Sequence, residues 1–115
     1  MKNGEAPKCR KDPRIVELAD ALKSLSEPNR LRIICYLSGG EGCVCDVERE
    51  LGISQQLASH HLNALKDAGF LNVRKESTSS YYSIDTENLK GINETFYEYI
   101  DYRRVKPGKR QSCGC

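Results

Sequence analysis

The sequence has no hydrophobic run long enough to cross a membrane. No stretch approaches the roughly 20 apolar residues that a transmembrane helix requires. The first 14 residues carry charge but no apolar segment, so they do not read as a signal peptide. We therefore expect a cytoplasmic protein without a membrane partner.

Patterns that indicate an enzyme are also missing. The sequence contains no glycine-rich phosphate loop, no paired carboxylates suited to acid–base catalysis, and no cysteine, histidine and aspartate combination beyond one thiol motif. Its cysteines do not show the Cys-x-x-Cys spacing of a zinc ribbon. These absences argue against catalysis and against a structural zinc protein, and they favour a binding function.

Size and charge describe one small globular domain with basic ends. The chain has 115 residues, of which 38% are apolar and 30% charged. Residues 1–14 and 103–115 each carry five Lys or Arg, whereas residues 15–102 are acidic overall. Basic arms commonly bind nucleic acid. Solvated tails have the same composition, so charge alone leaves both interpretations open.

Six cysteines are many for a chain of this size. Cys43 and Cys45 form one pair with a single residue between them, Cys113 and Cys115 form another, and Cys9 and Cys35 stand alone. Without a secretion signal, we expect thiols available for metal or redox chemistry rather than structural disulfides. Cys35 lies in an apolar run and is predicted to be a buried small hydrophobic residue.

Hydrophobic periodicity predicts two helices before the first cysteine pair. Helix 1 spans about residues 14–24. Helix 2 follows, with Ser26 as its N-cap and Pro28 in its first turn. The glycines at 39, 40 and 42 end it. Four of its residues are predicted to face inward, namely Leu31, Ile34, Cys35 and Leu37.

A helix-turn-helix follows the segment Cys43-Val44-Cys45-Asp46. Helix 3 is predicted to begin near Cys45 or Asp46 and to end at Gly52. Ser54 caps helix 4, which spans residues 55–68. The inward side of helix 4 consists of Ala58, His61, Leu62 and Leu65.

The other side of helix 4 suits contact with DNA. It carries amides, a hydroxyl and an imidazole, and no acidic residue precedes Asp67. Such groups donate to and accept from base edges and phosphates in a major groove, whereas a merely solvated helix face more often shows Glu and Lys. We therefore predict DNA contacts from Gln55, Gln56, Ser59, His60 and Asn63. His61 points elsewhere and is expected to be a hydrogen-bonded packing residue.

Two strands and a last helix complete the domain. Aromatic and branched residues at 70–75 and 80–84 predict a hairpin, whose Arg74 and Lys75 are candidate phosphate contacts. The fold class is then mostly α with a β-hairpin, a winged helix-turn-helix. Helix 5, about residues 86–103, has an apolar stripe that one such domain cannot cover together with helix 1, so we expect a homodimer through helices 1 and 5.

The predicted domain organisation has three parts. Residues 1–13 form a flexible N-terminal arm, and residues 14–102 form the DNA-binding and dimerisation domain. Residues 103–115 form a basic flexible tail that ends in Cys113-Gly114-Cys115.

Four segments together resemble the ArsR/SmtB family of metal-responsive repressors. They are Cys43-Val44-Cys45-Asp46, the run from Gln55 to Leu65, Gly69-Phe70-Leu71, and Tyr82-Ser83-Ile84 after Arg74-Lys75. The first is similar to the motif of the arsenic and cadmium/lead branches. The resemblance implies a repressor on double-stranded operator DNA that As(III) or Sb(III) releases by binding cysteine thiolates, with Cd(II) or Pb(II) as the alternative effector.

The sequence departs from the family pattern at the site of the third ligand. Glu48 stands where the arsenic branch has a third cysteine, one helical turn after the motif. The cadmium/lead branch takes further thiolates from its N-terminal arm, which makes Cys9 a candidate ligand here, and Cys113 and Cys115 are two others. The family's zinc site on helix 5 is not expected, because no histidine follows His61.

Thiolates are soft ligands and prefer soft ions. In a regular helix, however, Cys43 and Cys45 would point about 200° apart. We therefore expect them to bind one ion only if the first turn of helix 3 is distorted, which would move helix 4 away from its half-site. Oxidation of a cysteine pair, in place of metal binding, stays open as another way of switching.

Overall fold

The computed structural model describes residues 9–110 as five α-helices and a three-stranded sheet. The tail pair Cys113 and Cys115 lies outside the described residues. In chain order the elements are α1 Arg14–Leu25, α2 Pro28–Leu37, β1 Gly42–Cys43, α3 Val44–Leu51, α4 Gln55–Asp67, β2 Leu71–Glu76, β3 Ser79–Ile84 and α5 Thr86–Tyr99, followed by a 3₁₀ turn at Tyr102–Arg104.

Local capping signals end α3 and begin α4 where the sequence predicts them, whereas α3 begins at Val44, slightly before the predicted start near Cys45 or Asp46. Ser54 Oγ accepts a hydrogen bond from the backbone N–H of Leu57 at 3.1 Å and begins α4. Gly52 ends α3 with φ of 65°, a left-handed conformation that favours glycine. Asp85 begins α5 in the same way as Ser54 begins α4, since its Oδ1 accepts from the N–H of Asn88 at 3.1 Å.

The predicted N-cap of helix 2 is wrong by one residue. Glu27, not Ser26, caps α2, because its Oε1 accepts from the backbone N–H groups of Asn29 and Arg30 at 2.7 and 3.2 Å. Pro28 is the first helical residue, so the residue directly before it must cap. Ser26 instead closes α1, and its hydroxyl donates to the carbonyl of Lys23.

The predicted inward side of helix 2 is also partly wrong. Ile33 is fully buried and Leu37 is 3% exposed, whereas Leu31 is 53% exposed and Cys35 lies at the surface. The buried stripe of α2 runs through Ile33 and Leu37, four residues apart. Leu31 and Cys35, also four apart, lie on the neighbouring outward face, so Cys35 is not the buried hydrophobic residue that the apolar run suggests.

The sheet has a third strand that the sequence did not predict. The strand order is β1-β3-β2, and both neighbouring pairs are antiparallel. In the first pair Gly42 lies opposite Tyr82 and Cys43 opposite Tyr81. The wing hairpin β2–β3 turns tightly at residues 77 and 78, and Ser77 adopts a positive φ of 58°. The thiol segment is thereby attached directly to the wing.

One apolar core joins the helix-turn-helix to the wing. It contains Ile33 and Leu37 of α2, Val47 of α3, Ala58, Leu62 and Leu65 of α4, Phe70, Leu71 and Tyr82. All three α4 side chains of this set are fully buried. The inward side predicted for helix 4 is therefore confirmed. α4 is fixed by the same core that holds α3, so the two helices cannot move independently without disturbing that core.

The first and last helices pack together at the edge of the domain. Arg14 at the start of α1 forms two hydrogen bonds with the Glu98 carboxylate, at 2.9 and 2.7 Å. α5 ends at Tyr99, earlier than predicted, because Asp101 caps a separate 3₁₀ turn. Val16, Tyr97 and Ile100 stay more than half exposed on this edge. No helix among residues 9–110 is long and apolar enough to span a membrane.

Candidate thiol site and nucleic-acid interface

Cys43 and Cys45 converge at the start of α3. Cys43 is the N-cap, with φ of −92° and ψ of 174°, so its backbone is extended and lies outside the helix. Cys45 lies in the first turn. Their Cα atoms are 5.4 Å apart and their Sγ atoms are bonded as a disulfide. The expectation that the first turn must unwind is therefore wrong, because the 200° separation holds only when both residues are helical.

Asp46 braces this pair. Its Oδ2 accepts a hydrogen bond from the backbone N–H of Cys43 at 3.0 Å, and its Oδ1 accepts from Arg49 at 3.0 Å. Both hydrogen bonds lower the pKa of Asp46 below its usual value, and the bond from Cys43 has the larger effect. A carboxylate in the first turn is also favoured by the helix dipole. Asp46 therefore fixes the backbone of Cys43 relative to α3.

The structure adds a third donor to the two sulfurs. A carboxylate oxygen of Asp46 and the Sγ atoms of Cys43 and Cys45 all lie within 4.8 Å of one another. This is the only group of three metal-ligating residues among those described. The sequence signal for this third donor is the aspartate that ends the Cys43-Val44-Cys45-Asp46 motif. The structure does not bring Cys9 into this group, and it shows Cys9 at the surface.

The predicted DNA-facing residues share one side of α4. Gln55, Gln56, His60 and Asn63 are exposed, and Ser59 is half-buried. Leu57 is 38% exposed among them, an apolar residue that sequence reasoning missed on this surface. Its methyl groups suit contact with a thymine methyl. We call Gln55, Gln56, Leu57, Ser59, His60 and Asn63 the groove surface.

The two wing cations differ in their surroundings. Arg74 pairs with Glu41 at 2.6 Å and with Glu76 at 2.9 Å, and these carboxylates raise its pKa. Its guanidinium also lies 4.9 Å from the centre of the Tyr81 ring. Lys75, the next residue, is exposed. A DNA phosphate would have to compete with two carboxylates for Arg74 but not in the same way for Lys75.

His61 is the hydrogen-bonded packing histidine that the sequence predicted. It is 5% exposed. Its Nδ1 accepts a hydrogen bond from Arg30 Nε at 3.0 Å, and its Nε2 lies 3.6 Å from the Glu27 carboxylate. Burial lowers the pKa of His61, and the nearby Arg30 adds to this, while Glu27 opposes it. The side chain thus joins α4 to the first turn of α2.

We expect the protein to lose stability as the pH falls below about 6.5, the ordinary histidine value. The pKa of His61 is lower in the folded chain than in the unfolded chain. The unfolded state therefore binds the proton more tightly, and each pKa unit of difference costs about 1.4 kcal/mol. The melting temperature of the wild type should fall between pH 7.5 and pH 5.5.

Two variants separate this effect from other titrations. His61→Gln should show a flatter profile across the same window, whereas His60→Gln, with its exposed imidazole replaced, should decline like the wild type. The lowered pKa values of Glu41 and Asp46 place their titration below this window. Equal pH profiles for all three proteins would show that His61 does not control the decline.

Comparison with known proteins gives a consistent result. Residues 27–73 match the family model described as bacterial regulatory protein, arsR family. The chain is 42% identical over 80 residues to a cadmium resistance transcriptional regulatory protein CadC homolog of Staphylococcus aureus, a match that covers 69% of this chain and 66% of that protein. It is 40% identical over 78 residues to an arsenical resistance operon repressor of Staphylococcus xylosus, covering 68% and 75%.

Solved structures share the fold. HlyU from Vibrio cholerae superposes with a TM-score of 0.65 at 27% identity, covering 77% of this chain and 97% of that one. A homodimeric winged helix-turn-helix DNA-binding domain from Mycobacterium bovis superposes with a TM-score of 0.60 at 25% identity, covering 91% and 98%. The five helices and the small antiparallel sheet described above are thus those of a winged helix-turn-helix regulator.

Proposed function

The chain belongs to the arsR family of bacterial regulatory proteins and is a transcriptional repressor, and from that premise we propose that As(III) or Sb(III) releases it from its operator by binding Cys43 and Cys45. The observation that carries this proposal is the convergence of the two sulfurs at the first turn of α3. α3 packs against the recognition helix α4, so a ligand that holds both sulfurs acts on the DNA-binding unit.

The donor set suits a soft ion. Once the disulfide is reduced, Cys43 and Cys45 offer two thiolates, which prefer soft metals and metalloids. We propose Cys9 as the third sulfur, with Cys113 and Cys115 as the remaining sulfur candidates. The Asp46 carboxylate lies close enough to complete the set with oxygen. Cd(II) or Pb(II) is the alternative effector, and one relative is named as a cadmium resistance regulator.

The path from thiols to DNA runs through the apolar core. Val47 of α3 is fully buried in the same cluster as Ala58 and Leu62 of α4. A displacement of the first turn of α3 therefore also displaces α4, since a close-packed core does not absorb small displacements locally. A coupling of about 1–3 kcal/mol, the usual size of allosteric effects, weakens binding roughly 5–150-fold.

We propose that the repressor docks on double-stranded DNA as a homodimer. The groove surface of α4 enters the major groove and the wing follows the phosphate backbone, with Lys75 as its principal cation. Arg74 stays a predicted phosphate contact, for which a phosphate competes with the carboxylates of Glu41 and Glu76. The exposed apolar edge of α1 and α5, with Val16, Tyr97 and Ile100, pairs with a second copy. A homodimeric solved neighbour supports this assembly.

A redox response is the second candidate function. The distance of 5.4 Å between the Cα atoms of Cys43 and Cys45 supports it, because it lies in the range that a disulfide requires. Oxidation would remove two thiol protons and two electrons, and a disulfide or peroxide oxidant would accept them. The same first turn of α3 would then respond to oxidant instead of metalloid.

Operator binding under defined ion and redox conditions tests the proposal. Fluorescence anisotropy of a labelled operator fragment is titrated with reduced protein in the presence of arsenite, Cd(II) or Zn(II). We expect arsenite to weaken binding about 5–150-fold and Zn(II) to have little effect. Release by Cd(II) alone would favour the alternative effector, and release only on oxidation would favour the redox function. Tight binding that is indifferent to every ion would contradict metal sensing.

A further inference from the structure

The thiol segment is part of the same sheet as the wing. Cys43, the last residue of β1, lies opposite Tyr81 of β3, and Tyr81 in turn lies opposite Arg74 of β2. These three residues form one cross-strand row. Neighbouring strands are about 4.8 Å apart, so the backbones of Cys43 and Arg74 are separated by only about 10 Å. A change at Cys43 therefore arises next to the wing as well as next to α3.

An ion pair with two hydrogen bonds joins Arg74 of this row to Glu41, which lies outside it. Glu41 lies directly before β1, and its carboxylate binds Arg74 through Nη2 at 2.6 Å and Nε at 3.4 Å, although the two residues are 33 positions apart. The pair lowers the pKa of Glu41 and raises that of Arg74. Two-point arginine–carboxylate contacts fix direction as well as distance. Glu41 thus holds β2 to the segment that carries Cys43.

We propose that the Glu41–Arg74 ion pair transmits the state of the Cys43–Cys45 pair to the wing. This inference rests on the proposed function, because it concerns how the same thiol site regulates DNA binding. β1 has only two residues and is held to β3 at two positions, so it can shift when its last residue is constrained. With Glu41 attached, that shift displaces Arg74 and the adjacent Lys75. Without Glu41, the shift reaches the wing only through the short pairing of β1 with β3.

Because the Glu41–Arg74 pair is exposed, its effect on the wing can be tested without a large change in the stability of the fold. Side chains of Arg74 and Glu41 are 51% and 40% exposed, and ion pairs at such sites contribute little to folding. Glu41→Gln should therefore leave the fold and the arsenite affinity unchanged. Glu76→Gln is the matched control, because Glu76 also pairs with Arg74 but belongs to the wing itself. Both variants remove one carboxylate from the same guanidinium.

The experiment compares the open and closed thiol pair in the full-length wild type, Glu41→Gln and Glu76→Gln. The pair is closed either by oxidation to the disulfide or by arsenite. Hydrogen exchange of the amides at 71–84 reports the wing, and anisotropy reports operator affinity. In the wild type and Glu76→Gln, closing the pair should change wing exchange. In Glu41→Gln that change should be strongly reduced, and the arsenite-induced loss of operator affinity should shrink about fivefold or more, within the usual range of allosteric coupling.

Each outcome decides one claim. The inference is overturned if closing the pair leaves wing exchange unchanged in the wild type, if Glu41→Gln keeps the full response, or if Glu76→Gln loses as much. The proposed function fails separately, when wild-type operator affinity does not respond to arsenite. The disulfide arm still tests the wing link in that case, since it needs no metalloid.

Discussion

Serine in place of Cys43 is expected to preserve operator binding and to abolish its response to arsenite. The wild type should lose about 5–150-fold in operator affinity when arsenite is added, whereas Cys43→Ser should lose none. The hydroxyl is a harder and far less acidic donor than the thiol, so it does not replace a thiolate. Cys43 is the N-cap of α3, a position that serine favours, and the helix-turn-helix should therefore stay folded.

Cys35→Ser provides the matched control for this prediction. It removes an exposed thiol from α2 rather than from the start of α3, and it should respond to arsenite as the wild type does. Cys9→Ser, measured in the same anisotropy assay, tests whether Cys9 supplies the third sulfur. If arsenite still releases Cys43→Ser from DNA, Cys43 does not belong to the proposed site. If Cys35→Ser loses the response equally, the loss in Cys43→Ser is not specific to the Cys43 thiol and does not support the proposed site.

The parts of the fold that the sequence predicts are those set by short-range signals. Ser54 and Asp85 cap helices through bonds to residues three positions away, and Gly52 ends α3 through its own backbone conformation. Strand β1 has no such signal, because two residues are too few to show alternation. It exists only because β3 lies beside it. Cys35 was misplaced for a related reason, since an apolar run does not say which of its members face the core.

The geometry of the thiol site depends on a helix boundary. The separation of about 200° between the two side chains holds only where both cysteines lie in one regular turn. Because α3 begins at Val44, Cys43 is extended and the two sulfurs meet. Helix boundaries are commonly uncertain by one or two residues, and here one residue decides the chemistry. The pairing of Arg74 with Glu41 was likewise beyond prediction, because it depends on the sheet register and not on local sequence.

Leu62→Ala is expected to cost about 2–5 kcal/mol in the free energy of unfolding, the usual range for a large-to-small change in a core. Leu62 is fully buried on the inner side of α4. The total free energy of unfolding of a native protein is only about 5–15 kcal/mol. This variant should therefore unfold at a much lower urea concentration, measured at fixed protein concentration. The same helix offers a matched control.

Leu57 is chemically identical to Leu62 but lies on the groove surface, 38% exposed. Leu57→Ala should change the free energy of unfolding by about 0.5 kcal/mol or less, as surface substitutions usually do, and should act on operator affinity instead. The two leucines thus separate the side of α4 that holds the fold from the side that we propose contacts DNA. Equal destabilisation by both variants would contradict this orientation of α4, and with it the assignment of the groove surface.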